Sequence, residues 1–195
     1  YNDVTARIYT DIGVFTANPY FGADASIVFN MLSGYSSPTK LFKMSLAPLH
    51  LRERFLYLIN RERENAQNGK KSRIIIKINS LVDKEIIEAL YEASSEGVSI
   101  DLIVRGICCL TPGIPGISDN ISVRSIVGRF LEHSRIYYFY NEGEEAIYLS
   151  SADLMSRNLD RRVELLFPIE DISAKKKVRQ ISKICLTFFF AEISS

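Results

Sequence analysis

The sequence is poor in cysteine, and its three cysteines are badly placed for disulfide or zinc chemistry. Cys108 and Cys109 are adjacent, and neighbouring cysteines rarely bridge, so no disulfide framework is expected. The Cys-x-x-Cys and Cys/His spacings of a zinc site are missing. This use of cysteine indicates a reducing compartment, and we expect a cytoplasmic protein.

Long apolar runs and an excess of one charge are also absent. The longest apolar stretch, Ile184 to Ala191, is far shorter than the roughly 20 residues that cross a bilayer. The formal net charge of +1 argues against a general nucleic-acid coat. With 195 residues, 47% of them hydrophobic, the composition predicts one or two compact α/β domains. The chain opens on Tyr1 without a signal-peptide pattern, so we expect a piece of a longer protein.

The first forty residues predict a strand, a helix and a linker. Residues 7–16 alternate between apolar and polar side chains, which is the pattern of a half-buried strand. Its apolar face would hold Ile8, Ile12 and Val14, and its polar row Arg7, Tyr9 and Asp11. A helix is expected from about Gly22 to Leu32. Residues 33–40 are rich in Gly, Ser and Pro, so we place a linker and a domain boundary there.

The rest of the chain predicts strands and helices in alternation. Expected strands span residues 41–45, 73–78, 99–104, 121–126, 135–140, 146–150 and 162–167, and expected helices residues 51–67, 84–95 and 171–193. Asp83 is the expected cap of the second of these helices, Gly97 its stop signal, and His50 should help to cap the first. The β-α-β order predicts parallel strands, and ligands bind at the carboxyl edge of such sheets.

Cationic residues recur beside these strand ends. Arg105 follows one strand, His133 and Arg135 precede another, and an arginine group precedes the last, namely Arg157, Arg161 and Arg162. A guanidinium offers a planar fork of donors that suits phosphate oxygens, and an imidazole adds proton transfer. Each residue alone also has a structural explanation, because a single arginine is often solvated and Glu132 could fix the tautomer of His133. Their joint placement favours a phosphate site.

Two patterns connect these residues with known families. His133-x-Arg135, followed by the run Ser150-Ser151-Ala152-Asp153 and then Asn158, resembles half of the phospholipase D signature, H-x-K with a later G-S-x-N. Arginine stands where lysine is usual, and SSAD replaces G-S-x-N. Three longer runs closely resemble the C-terminal half of bacterial polyphosphate kinases that use a phosphohistidine: TARIYTDIGVFT, NSLVDKEIIEALYEASSEGVSIDLIVRGICCLTPGIPGISDNISVRSIVGRFLEHSRIYYF and YLSSADLMSRNLDRRVELLFPI.

The resemblance implies an α/β fold of the phospholipase D-like kind, with a mixed sheet flanked by helices as an αβα sandwich. Residues 1–37 would be the C-terminal tail of a first phospholipase D-like catalytic domain, and residues 38–195 the second such domain. It also implies reversible transfer of the terminal phosphate of ATP, through a phosphohistidine, onto polyphosphate. That nucleophilic histidine and the ligands of Mg²⁺ are expected upstream of Tyr1, so the isolated chain should be inactive.

The resemblance also implies roles for single residues. Tyr9 looks like a tyrosine that contacts the nucleotide, Arg105 like an arginine that grips the ATP phosphates, and Arg162 like a further nucleotide-side arginine. His133 looks like the second, catalytic histidine, which faces the phosphohistidine and the phosphate; no metal ligand is assigned to this chain. The implied partners are ATP or ADP, polyphosphate and upstream domains of the same chain, with no nucleic acid; homo-oligomers and peripheral membrane association are further expectations.

Two alternatives stay open at the level of sequence. The chain could be a phospholipase D-like phosphodiesterase or phosphatidyltransferase, in which His133 faces a histidine of a partner chain. It could also be a non-catalytic module whose arginines bind polyanions without any chemistry.

Overall fold

The computed structural model describes residues 2–34 and 40–187, apart from the side chains of Thr5 and residues 182–187. The described strands are β1 (Tyr9–Thr10), β2 (Ser45–Ala47), β3 (Arg73–Ile78), β4 (Ser99–Val104), β5 (Ile121–Arg124), β6 (Leu131–Glu132), β7 (Arg135–Phe139), β8 (Ala146–Ser150) and β9 (Glu164–Pro168). The described helices are α1 (Pro19–Leu32), α2 (Leu51–Gln67), α3 (Lys84–Ser95), α4 (Ser156–Arg161) and α5 (Ile172–Thr187).

Seven strands form one mixed sheet in the order β2-β9-β8-β7-β3-β4-β5. β3, β4 and β5 are parallel, whereas β7 runs antiparallel to both of its neighbours, β3 and β8. β9 is in turn antiparallel to β8 and to β2. It follows that β3, β4, β5 and β8 end at the edge of the sheet where β7 and β9 begin. We call this edge the carboxyl edge.

Hydrophobic cores lie on both faces of this sheet. On one face, side chains of α2 and α3, such as Phe55 and Leu90, pack against the strands. On the other face, Ile75 and Ile136 of the sheet share a cluster with Val178 of α5. Helices therefore flank both faces of a mixed sheet, which confirms the predicted αβα arrangement.

The central elements confirm the sequence prediction closely. α2, β3, β4 and β8 have the predicted bounds, and β3 and β4 are parallel as expected. Asp83 caps α3 by accepting a hydrogen bond from the Ile86 amide at 3.3 Å. Gly97 has a φ of 97°, the left-handed conformation that a stop signal after a helix requires.

The N-terminal segment differs from its prediction. Only Tyr9 and Thr10 form a strand, because their partner β6 has two residues and no strand continues the pairing. Ile8 and Val14, expected on a buried face, are 48% and 45% exposed, while Ile12 packs against the second core. β6 itself was not predicted, since a two-residue strand leaves no periodic pattern.

Several element ends are also shifted. α1 begins at Pro19, because the Asn18 side chain accepts from the Tyr20 amide and proline suits the first helical position. β2 lies later than predicted since its pairing partner is β9, which starts at Glu164 instead of residue 162. β5 and β7 end at Arg124 and Phe139, earlier than expected. His50 is the N-cap residue of α2 as predicted, and its carbonyl accepts from the Arg54 amide at 3.0 Å, but its side chain makes no capping hydrogen bond.

Two predictions fall on residues outside the description. The boundary between residues 37 and 38 lies within 35–39, and the predicted end of α5 at residue 193 lies beyond Thr187. The division of the chain into two domains therefore stays a prediction.

Candidate phosphate site

The carboxyl edge of the sheet gathers polar residues from segments that are distant in sequence. Asn79 follows β3, Arg105 follows β4, Arg135 begins β7, and Asp153 follows β8. Parallel strands that end together bring the residues after them together, and β7 enters at the same edge. The sequence prediction that Arg105 and His133 converge rests on this topology.

Asp153 is the centre of the cluster. Its side chain is buried, and it accepts a hydrogen bond from the Asn79 amide at 2.8 Å. Arg135 meets the same carboxylate with two nitrogens, Nε at 3.2 Å and Nη2 at 3.1 Å. A buried carboxylate needs such partners, and the two-pronged contact fixes the plane of the guanidinium. Asp153 therefore holds Arg135 in one orientation.

Arg105 joins the cluster through Asn79. Its Nε donates to Asn79 Oδ1 at 3.0 Å, and no described residue accepts a hydrogen bond from its Nη1 or Nη2. The chain approaches closely here, because the Gly106 amide donates to the Asn79 carbonyl at 2.7 Å. A Cβ atom on Gly106 would lie 2.9 Å from that oxygen, so only glycine fits. Arg105 is thus anchored by one nitrogen and keeps its outer nitrogens available.

His133 lies between Asp11 and Arg135. Its Nδ1 is 3.0 Å from Asp11 Oδ2, and its Nε2 is 3.3 Å from Arg135 Nη1. A carboxylate can only accept and a guanidinium can only donate. Both contacts are therefore satisfied by a neutral imidazole with its proton on Nδ1. Nε2 is left as the nitrogen through which the ring can exchange a proton.

The short pairing of β1 with β6 brings Tyr9 and Asp11 of the N-terminal polar row close to His133. Tyr9 lies opposite Leu131 in register, and the His133 amide donates to the Thr10 carbonyl at 3.2 Å. The Tyr9 ring meets the imidazole edge-on, with 4.9 Å between ring centroids. Tyr9 and Asp11 therefore flank His133, although the strand that carries them is shorter than predicted. Arg7 lies in a 3-10 turn that precedes β1.

A cavity of about 300 Å³ adjoins these groups. Asp11, His133 and Arg135 line part of it together with three serines, and Ile12, Leu149 and Phe167 line the rest. The space next to His133 and Arg135 is therefore open to a ligand of modest size.

Arg162 is the predicted site residue that the network does not include. It is exposed after α4 and just before β9, and thus lies towards the carboxyl edge. Among the residues that the structure describes, no hydrogen bond links it to Arg105, His133 or their partners. Arg157 and Arg161 of the same group are exposed as well.

Sequence reasoning missed two residues that organise the site. Asn79 connects Arg105 with Asp153, and the signal available was an amide directly after a buried strand, at the same strand end as Arg105. Lys77 is buried within the run RIIIKI, where a single charge interrupts an apolar strand. Asp153 was named only as part of the run SSAD.

The described ranges contain neither a metal cluster nor a membrane-spanning helix. No group of three or more His, Cys, Asp or Glu side chains there is arranged to hold a metal ion. No helix in that part of the chain is both long enough and apolar enough to cross a membrane.

Comparison with solved structures first defines the class of fold. The phospholipase D family member Nuc from Salmonella typhimurium superposes with a TM-score of 0.52 at 14% identity, covering 72% of this chain and 90% of Nuc. The fold is therefore phospholipase D-like. At this identity the likeness concerns the fold alone.

Closer relatives then define the family. Polyphosphate kinase C-terminal domain 2 matches residues 44–188, and C-terminal domain 1 of the same enzymes matches residues 1–38. The chain belongs to the polyphosphate kinase C-terminal domain family. Polyphosphate kinase from Bacillus cereus is 53% identical over 186 residues, which is 95% of this chain and 26% of that protein. The crystal structure of polyphosphate kinase from Porphyromonas gingivalis superposes with a TM-score of 0.91 at 43% identity, over 95% of this chain and 28% of that one.

This chain is also much shorter than the relatives that it matches. The chain spans about a quarter of the curated relatives that it matches. The predicted family and fold are confirmed, whereas the activity of a whole enzyme belongs to the proposal below.

Proposed function

We propose that this chain forms part of an ATP:polyphosphate phosphotransferase, in which it binds phosphate groups and supplies a second histidine. The reaction moves the terminal phosphate of ATP through a phosphohistidine onto polyphosphate, reversibly. The observation that carries the proposal is the continuous path of polar contacts from Arg105 through Asn79, Asp153 and Arg135 to His133. Membership of the polyphosphate kinase family supports the reaction class.

Arg105 is assigned to the phosphates. Phosphoryl transfer relies mainly on positioning and on neutralising charge that spreads over the equatorial oxygens. The Nε of Arg105 is fixed by Asn79, which leaves the outer edge of its guanidinium for phosphate oxygens. Arg162 is assigned to the nucleotide side of the same edge, where its exposure gives it a weaker, more screened contribution.

His133 is assigned to proton handling at the phosphate. When a phosphate group binds beside Nε2, that nitrogen shares a proton with a phosphate oxygen, and Asp11 stabilises the resulting imidazolium through Nδ1. Tyr9 packs against the ring and is assigned to contact with the nucleotide. General acid–base contributions of this kind are typically about 10² to 10⁴-fold in rate.

Magnesium is proposed as the cofactor, with its ligands outside this chain. When bound, Mg²⁺ would neutralise charge on the phosphate oxygens. Among the described residues no group of three or more His, Cys, Asp or Glu side chains is arranged to hold a metal ion, and the proposal assigns Mg²⁺ to no residue of this chain.

The remaining proposals concern context. ATP or ADP and polyphosphate are the proposed substrates, the preceding domains of a longer protein are the proposed partners, and the proposed location is the cytoplasm. Homo-oligomer formation and peripheral membrane association belong to the same proposal. The likeness to Nuc concerns the fold alone and does not favour a phosphodiesterase.

A chimeric enzyme tests the proposal. This chain would replace the matching region of the Bacillus cereus polyphosphate kinase, to which it is 53% identical over 186 residues. The chimera should form polyphosphate from ATP, and His133→Ala should lower its kcat by about 10² to 10⁴-fold. His50→Gln is the matched control, because His50 is the other histidine, is exposed and makes no capping bond.

Three results would count against the proposal. Polyphosphate synthesis by the isolated chain would show that the reaction does not need the nucleophilic histidine that is expected upstream of Tyr1. Normal turnover of the folded His133→Ala chimera would reduce the chain to a polyanion-binding module. Hydrolysis of lipid or DNA phosphodiesters without nucleotide would favour the phosphodiesterase alternative.

A further inference from the structure

Lys77 places an ammonium group in the interior of the protein. It lies near the end of the central strand β3 and is 2% exposed. Ile76 and Ile78 on either side face the first core, so Lys77 faces the opposite side of the sheet with Ile75. Burial of a charge is costly unless hydrogen-bonding partners surround it. The phosphate site described above does not use this group.

The partners of Lys77 are the residues on both sides of His133. Its Nζ donates to the Ser134 carbonyl and to Ser134 Oγ, each at 2.9 Å, and lies 3.2 Å from Glu132 Oε2. An ammonium has three donors, and these contacts use all of them. In an extended segment, successive side chains point to opposite sides. Glu132 and Ser134 thus turn towards Lys77, while His133 turns towards Asp11 and Arg135.

The segment around His133 is also held by the N-terminal residues, because the Leu131 amide donates to the Ile8 carbonyl at 2.6 Å and the His133 amide to the Thr10 carbonyl at 3.2 Å. It follows an exposed stretch in which Val127 is 87% and Phe130 is 49% exposed. β6 has only two residues, and its pairing with β1 is equally short. The three contacts of Lys77 add an anchor from the central strand β3 to the residues next to His133.

We infer that Lys77 is a positioning residue, which holds Glu132 and Ser134, the residues on both sides of His133, so that the imidazole keeps its orientation between Asp11 and Arg135. The catalytic meaning of this orientation rests on the proposed function. The orientation itself can be measured without any turnover.

Histidine NMR on this chain provides that measurement. The chain has two histidines, so ring ¹⁵N labelling gives two sets of signals, which His50→Gln assigns. In the unaltered chain, His133 should show one tautomer, with the proton on Nδ1. In Lys77→Met, which keeps the length of the side chain without its charge, the shifts of the two ring nitrogens should move towards each other as tautomers exchange.

Glu62→Gln is the matched control. Glu62 is also a fully buried charge, and it accepts backbone hydrogen bonds from Arg73 and Asn141 at the opposite end of β3. This variant should leave the His133 signals unchanged, so it separates loss of a buried charge from loss of the anchor. Glu132→Gln removes one contact of Lys77 at a partly exposed position and should move the His133 signals in the same direction by a smaller amount.

The outcomes distinguish the inference from the proposed function. Unchanged His133 signals in a folded Lys77→Met chain overturn the inference, and if that variant does not fold, unchanged signals in Glu132→Gln do so. Titration with tripolyphosphate is the separate test of the phosphate site: His133 signals that do not respond in the unaltered chain contradict the proposed function, whatever Lys77 does. Where they respond, Lys77→Met should weaken the affinity for tripolyphosphate, because the imidazole is no longer held in one orientation.

Discussion

Arg135 stands where the phospholipase D signature has lysine, and its contacts explain the exchange. Its guanidinium reaches Asp153 with two nitrogens and His133 with the third. A lysine ammonium is a point charge and does not reproduce this planar arrangement. Because Asp153 neutralises Arg135, the cationic group free to meet a phosphate in this network is Arg105.

Arg105 should therefore dominate phosphate binding. Arg105→Gln removes a charge-assisted hydrogen bond worth about 1.5–3 kcal/mol, so it should weaken tripolyphosphate binding by roughly tenfold to a hundredfold. Arg162→Gln should have a much smaller effect, because that side chain is exposed and outside the network. Isothermal titration calorimetry on the two variants measures the difference. An Arg105→Gln chain that binds as tightly as the unaltered chain would refute this assignment.

At the residue scale, the sequence indicated the charged groups that are proposed to meet a phosphate but not the residues that hold them. Arg105 and His133 were predictable because both stand beside strand ends that the β-α-β order brings together. Asn79, Asp153 and Lys77 were not, since the sequence does not show whether a polar residue is buried or solvated. Only tertiary contacts distinguish the two cases. Of these, the lone lysine in the run RIIIKI was the clearest signal.

At the scale of elements, the N-termini of three helices are joined beside the carboxyl edge. Arg52 of α2 donates to Asp83, the cap of α3, with Nη1 at 2.6 Å and Nη2 at 2.8 Å. Ser156 of α4 donates to the same carboxylate at 2.9 Å. The Asp83 amide in turn donates to the Leu154 carbonyl, so the loop after β3 is tied to the segment that carries Asp153.

These contacts make the stability of the chain depend on pH. Burial by itself would raise the pKa of Asp83, but the hydrogen bonds from Arg52 and Ser156 outweigh it and lower that pKa. A lowered pKa means that the folded state resists protonation. The stabilisation is therefore present above the pKa of the unfolded chain, about 3.9, and is lost as the pH falls through the lowered value.

Asp83→Asn should remove this dependence. It keeps the side-chain oxygen that caps α3 but loses the charge that pairs with Arg52, so the free energy of unfolding at neutral pH should fall by about 2 kcal/mol. Below pH 4, the difference from the unaltered chain should shrink. Urea denaturation at a series of pH values measures both effects, with the exposed Asp3→Asn as control. A constant difference between Asp83→Asn and the unaltered chain at all pH values would contradict the assignment.

Elements were predictable where the pattern is local. α2, α3, β3 and β4 have clear periods and end signals, and their bounds agree with the structure. β1 and β6 pair across 122 residues, from Tyr9 to Leu131, and their two-residue lengths carry no periodic signal. The polar row of Tyr9 and Asp11 nevertheless reaches His133, because side-chain alternation survives even where the strand is short.

At the scale of the whole molecule, the sheet collects its polar groups at one edge and its apolar groups on two faces. β3, β4 and β8 end where β7 begins, so the residues after three strands and before a fourth share one site. The central claim is that this shared edge holds a phosphate between Arg105 and His133. The relatives are about four times as long as this chain, and the claim concerns the part of the site that this chain contributes.

A crystal structure of the chain with tripolyphosphate tests this claim most directly. The account predicts a phosphate group whose oxygens accept hydrogen bonds from the outer nitrogens of Arg105 and lie within hydrogen-bond distance of His133 Nε2. Tripolyphosphate bound elsewhere on the chain, with both of these side chains facing solvent, would contradict it.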